Sequence, residues 1–77
     1  MGQTLNEIGI GKTVRITAVR QSTPIAARLT ELGLTPGCRV TCLYAAASGD
    51  PRAYRVRGAV LAIRRRDAAA IEVTPWD

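Results

Sequence analysis

Three features of this 77-residue chain have residue types and spacings from which chemistry could be built. They are the stretch GIGKT at 9–13, the cysteine pair Cys38 and Cys42, and a set of ten arginines. GIGKT ends in the Gly-Lys-Thr of a phosphate-binding loop, but such a loop needs a glycine five residues before Gly11, where Asn6 stands. It also needs a helix to follow. Instead TVRITAVR, residues 13–20, sets Val14, Ile16 and Ala18 against Arg15, Thr17 and Val19, the alternation of a strand. Gly9 and Gly11 therefore read as a turn that leads into a strand.

The cysteines lie four residues apart in a second strand-like stretch. At about 3.3 Å per residue their Cα atoms stand roughly 13 Å apart. A disulfide needs less than about 7 Å, and one zinc or iron ion needs each sulfur within about 2.3 Å. Both thiols are expected to be buried and inert, since free cysteine packs as a small hydrophobe. The chain has no histidine, and its six acidic residues are scattered. No serine or cysteine has a base at a recognisable spacing, so the residue types argue against an enzyme. They argue equally against an iron carrier, because ferrous iron is held by imidazole, carboxylate or clustered thiolate. No catalytic, cofactor-binding or metal-binding residue is assigned.

The arginines are the remaining chemistry. Ten of eleven basic residues are Arg and the net charge is +5, which favours an acidic partner, because guanidinium binds carboxylate and phosphate bidentately. The apolar runs fall far short of the roughly 20 residues that span a bilayer, and nothing resembles a signal peptide, so a soluble cytoplasmic protein without direct membrane insertion is expected.

The elements that must position these residues belong to one small domain, residues 1–77. Hydrophobic residues make up 47% of it, with three aromatics and no Phe, so the core is built from small aliphatic side chains. After the first strand, STPIAARLTELGL takes helical spacing, with Ile25, Leu29 and Leu32 on one face. Thr23 is placed to cap this helix and Pro24 suits its first position. Gly33 supplies the left-handed stop, Leu34 folds back on Leu29, and TPGC at 35–38 reads as a type II turn. Further strands are expected at 38–45, 53–58, 59–65 and 71–73, with at most one helical turn in RRDAAA.

Alternation points Val14, Ile16, Val40, Cys42, Tyr54, Val56, Leu61, Ile63, Ile71 and Val73 inward, and Arg15, Arg39, Arg55, Arg57 and Arg64 outward. Tyr44 is also expected in the core. Five strands with a helix after the first suggest a small, strongly curved β-barrel that hides its edges by near closure.

The block RLTELGLTPG, residues 28–37, resembles the hallmark of the FeoA family, small accessory proteins of bacterial ferrous iron uptake. The likeness extends from LNEIGIGKTVRI through GDP at 49–51 to GAVLAIRRRDAAAIEV, about residues 5–73. Arg28, Leu29, Glu31, Leu32, Gly33, Leu34, Pro36 and Gly37 match it, as do Asp50, Pro51, Gly58, Leu61, Arg64, Ala68, Ile71 and Val73, with Ile63 replacing the usual leucine.

The resemblance implies an SH3-like barrel acting by protein contact with the FeoB membrane transporter, through that partner's cytosolic region. Arg28, Glu31, Arg55, Arg57 and Arg64 are the candidate contact residues. Leu29, Leu32, Gly33, Leu34, Pro36, Gly37 and Gly58 are the structural signature, with Leu32 and Leu34 assigned to core or corner. The protein would sit in the cytoplasm, at the inner face of the membrane when its partner holds it. The alternative is an SH3-like nucleic-acid-binding or transcription-regulator-type domain, because an arginine-faced barrel has that electrostatic footprint. No specific nucleic acid is expected, since stacking platforms are lacking. Self-association, the docking surface and the step affected are left open.

Overall fold

In a computed structural model that describes residues 2–20 and 24–76, alternation sets the strands and glycine sets the corners. The elements in chain order are β1 (Gln3–Thr4), a 3-10 turn (Leu5–Glu7), β2 (Thr13–Val19), α1 (Pro24–Glu31), β3 (Arg39–Ala45), β4 (Arg52–Val56), β5 (Ala59–Ile63), α2 (Arg65–Ala68) and β6 (Ile71–Pro75). All strand pairs are antiparallel and make one sheet in the order β1-β6-β2-β3-β4-β5. The five expected strands are present, and the two-residue β1 is added ahead of them on β6. The sheet curls around a single core to which every strand from β2 to β6 contributes, joined by Leu5 and Ile8 from the segment before β2.

Nine of the ten residues expected to face inward are buried, and Leu61, half-buried, packs against them. All five arginines expected outward are exposed. Two expectations of burial fail, each because of the element packed alongside. Tyr44 is 58% exposed. A bulge between Cys42 and Tyr44 sets two residues of β3 against one of β4, and the extra residue takes the strand out of phase. On α1 and in the turn that ends it, Ile25 and Leu32 are 45% and 47% exposed, while Ala26 is buried and Leu29 packs on the core. The helix thus docks through Ala26 and Leu29, whose small and medium side chains permit a close approach, and leaves Ile25 and Leu32 at its margin. Leu32 is therefore a surface residue. The cap expected at Thr23 lies outside the described residues.

The corner at 28–38 forms as its sequence dictates. Leu34 donates its amide to the Leu29 carbonyl at 3.0 Å and Gly33 donates to Thr30 at 3.0 Å, the paired bonds of a Schellman motif. Gly33 stands at φ +109°, and a Cβ built there would meet Cδ of Arg57 at 2.9 Å. Cys38 then closes the type II turn on Thr35 at 3.0 Å, with Gly37 at φ +89°. The Gly9–Lys12 turn is likewise closed, at 3.1 Å, and it feeds β2 as expected. Residues 57 and 58, the end of the strand expected at 53–58, make a two-residue hairpin, the tight reversal that Gly58 allows, with both φ positive, Arg57 at 51° and Gly58 at 80°.

Tyr54 is the largest fully buried side chain, and its hydroxyl donates to the Leu5 carbonyl at 3.5 Å. Burial pushes its phenol above the usual tyrosine range, opposed in part by Arg52 nearby. Two predictions follow from these contacts. Gly33→Val places a β-branched residue at positive φ and displaces Arg57, at a cost of about 1–3 kcal/mol. For a domain of this size the melting temperature should fall on the order of 10 °C by circular dichroism, and an unchanged value would refute the role of the corner. Because the folded state holds the Tyr54 proton more tightly, its stabilising effect is complete below the unfolded phenol's pKa near 10 and is lost as pH rises through the folded value. Urea midpoints should therefore decline above about pH 10, and Tyr54→Phe should flatten that decline. A decline of equal slope in the variant would contradict the assignment.

Candidate functional site

The outward face of the sheet gathers four arginines from three strands and a turn. Cross-strand register puts Thr13 opposite Thr41 and Thr41 opposite Arg55, with Arg15 opposite Arg39 in the adjacent row. Arg57 projects from the β4–β5 turn at the same end. A groove of ≈ 490 Å³ runs between them, lined by Thr13, Cys38, Arg39, Thr41, Arg55, Arg57 and Gly58. The Thr13 and Thr41 hydroxyls are 2.9 Å apart on its floor. No carboxylate lines it, and the ion pair found among the described residues, Arg20 with Glu72, lies elsewhere. An oxyanion, whether carboxylate or phosphate, is what three guanidiniums and two hydroxyls can receive.

Two like charges directly opposite on neighbouring strands destabilise a sheet. Arg15 and Arg39 are such a pair, and Trp76 answers it. The Arg15 guanidinium lies 4.2 Å from the centroid of the indole and that of Arg39 lies 5.4 Å from it. Each contact contributes about 0.5–1 kcal/mol at an exposed site. The indole thus stands beside a guanidinium that also lines the groove.

The structure divides the expected contact residues among three surfaces. Arg55 and Arg57 share the sheet groove. Arg28 lines a second groove, between α1 and β5. Glu31, three residues along α1, is exposed and makes no ion pair with Arg28 among the described residues. Arg64 lies on a third surface beside Asn6, Asp50, Arg65 and Arg66. Sequence reasoning placed Arg39 outward without assigning it to a site, and it overlooked Thr13, Thr41 and Trp76. The signal was present for Trp76, since inward Ile71 and Val73 put position 76 on the outward phase.

The FeoA domain model matches residues 3–75. The solution structure of the FeoA protein from Chlorobium tepidum is 31% identical, with a TM-score of 0.91 over 97% of this chain and 71% of that one. FeoA of Stenotrophomonas maltophilia, solved complexed with zinc and described as an SH3 domain protein, is 26% identical, with a TM-score of 0.85 over 94% and 89%. A manganese-dependent transcriptional repressor shares the fold at 16% identity and a TM-score of 0.83, with this chain covering 41% of it. No curated protein is significantly similar in sequence.

The donor chemistry of this chain differs from what a zinc site requires. It has no imidazole, and Cys38 and Cys42 are buried in the core with free thiols. Among the described residues no group of three or more Cys, Asp or Glu could hold a metal ion. Purified protein loaded with zinc or ferrous iron should therefore retain well under one equivalent after dialysis. Stoichiometric metal measured by atomic emission would overturn this.

Proposed function

The chain belongs to the FeoA family, which is linked to ferrous iron transport, and on that premise we propose that it is an accessory protein acting by contact with the cytosolic region of a FeoB-type transporter. The observation that carries the proposal is the arginine groove. Arg39, Arg55 and Arg57 have no carboxylate among them and stand where an acidic protein surface can dock. Such a protein serves iron transport without holding iron. Among the described residues no helix is long and apolar enough to cross a membrane, which fits a partner-borne position at its inner face.

The nucleic-acid alternative draws on the same charge but finds little to stack bases upon. Trp76 is engaged by two guanidiniums. Tyr44 is exposed on the same outer face, opposite Ala53 and thus two residues along β4 from Arg55, which makes it a single aromatic at one end of the basic row. Single-strand binders place aromatics within the basic track.

The test is charge reversal at Arg39 and Arg55. Arg57 is spared, because its stem packs on Gly33 and its backbone is left-handed. Both substituted side chains are exposed, so the fold should persist. Steering by complementary charge governs association rate above all, so Arg39→Glu with Arg55→Glu should slow association with the purified cytosolic part of the transporter by at least about tenfold at low salt. The difference should shrink as salt rises. An unchanged rate, or sub-micromolar oligonucleotide binding near physiological salt by the unsubstituted protein, would defeat the proposal.

A further inference from the structure

The sheet has two open edges, and they are unequal. β1 is two residues long, whereas β5 runs Ala-Val-Leu-Ala-Ile without a charge, proline or glycine to discourage pairing. Long uncharged edges of this kind are templates for another strand. The hairpin sets which groups are free. A two-residue turn closes on a doubly hydrogen-bonded pair, here Val56 with Ala59, and bonded pairs then alternate. Leu61 and Ile63 bond to β4, while the N–H and C=O groups of Val60 and Ala62 point away from it. Neither residue has another backbone partner among the described residues.

A groove of ≈ 250 Å³ lies along this edge, bounded on the far side by α1. Consecutive residues Leu61, Ala62 and Ile63 all line it, although their side chains alternate between faces, so it follows the edge itself. Ile25 and Leu32, the exposed apolar margin of α1, form its other wall with Leu29. An added strand would satisfy the β5 amides and bury an apolar side chain between helix and sheet.

Charge selects the occupant. Arg57 precedes β5, and Arg64, Arg65 and Arg66 follow it, against a single acidic neighbour in the groove, Asp67. Pairing with a second copy about Leu61, the register that uses both free amides, would bring Arg57 of one copy against Arg64 and Arg65 of the other, a repulsive arrangement. We infer that the β5 edge and the α1 groove bind an extended polypeptide segment of alternating apolar residues flanked by carboxylates, by strand addition. Backbone bonds supply the pairing, the groove reads one apolar side chain, and the flanking arginines set the charge.

The inference is independent of the sheet-face reading, and the test separates them by location. The probe is the peptide acetyl-EEVTVTVEE-amide, with acetyl-KKVTVTVKK-amide as control, and the readout is water exchange of individual backbone amides by NMR. With the acidic peptide at ten times its Kd, the Val60 and Ala62 amides should exchange about tenfold more slowly. The lysine-flanked peptide should bind at least tenfold more weakly. Ala62→Pro removes an outward N–H that β4 does not use, and Leu32→Glu charges the groove from an already exposed position; each should weaken acidic-peptide binding at least tenfold. If Ala62→Pro fails to fold, Leu32→Glu decides. Unaltered exchange at these amides up to the solubility limit of the peptide overturns the inference, as do equal binding of the lysine-flanked peptide and perturbation confined to Arg39 and Arg55. Slowing at Val60 and Ala62 that grows with protein concentration alone assigns the edge to a second copy and overturns it as well.

Discussion

A strand places successive side chains on opposite faces, and a domain this small has one core to fill. Every strand from β2 to β6 must therefore commit the same phase to the interior, and Val14, Ile16, Val40, Cys42, Tyr54, Val56, Ile63, Ile71 and Val73 all do. The outward phase follows without further choice. Arg15, Arg39 and Arg55 stand together on the outer face because their neighbours along the chain are apolar and buried. The basic face is thus coupled to the core, and a slip of one residue in any strand would dismantle both.

The turns and bulges modulate that constraint where the chain needs something other than alternation. The bulge in β3 turns Tyr44 out of the core. The corner that ends α1 does more than reverse the chain. Its Gly33 leaves room for the stem of Arg57, so the end of the helix and the β4–β5 hairpin meet at a residue that also lines the arginine groove. Trp76 performs a comparable service for Arg15 and Arg39, giving two facing cations a shared aromatic surface.

The sequence has no histidine and both thiols are enclosed in the core, and the outer sheet face offers the guanidinium and hydroxyl groups of Arg15, Arg39, Arg55, Thr13 and Thr41. The fold recurs in a transcriptional repressor at 16% identity, so the fold alone does not specify a role. Membership of the FeoA family supplies the iron-transport setting, and the groove gathers three guanidiniums with no carboxylate lining it.

By itself the sequence determined what local geometry controls. It determined the strand phases, the Schellman corner at Gly33, the type II turn through Pro36 and Gly37, and the outward course of Arg39, Arg55 and Arg57. Each depends on a few consecutive residues and on conformations that glycine or proline imposes. Tertiary structure decided what depends on neighbours distant in the chain. It decided that, of the expected stripe Ile25, Leu29 and Leu32, only Leu29 packs on the core, with Ala26 buried beside it and Ile25 and Leu32 left exposed, because helix placement answers to the sheet beneath it. It decided that a bulge exposes Tyr44, because a bulge is defined by the partner strand. Above all it decided that Thr13, Arg39, Arg55 and Arg57 line one groove while Arg28 and Arg64 belong to others, because strand order and curvature, which no short stretch encodes, determine which outward side chains meet.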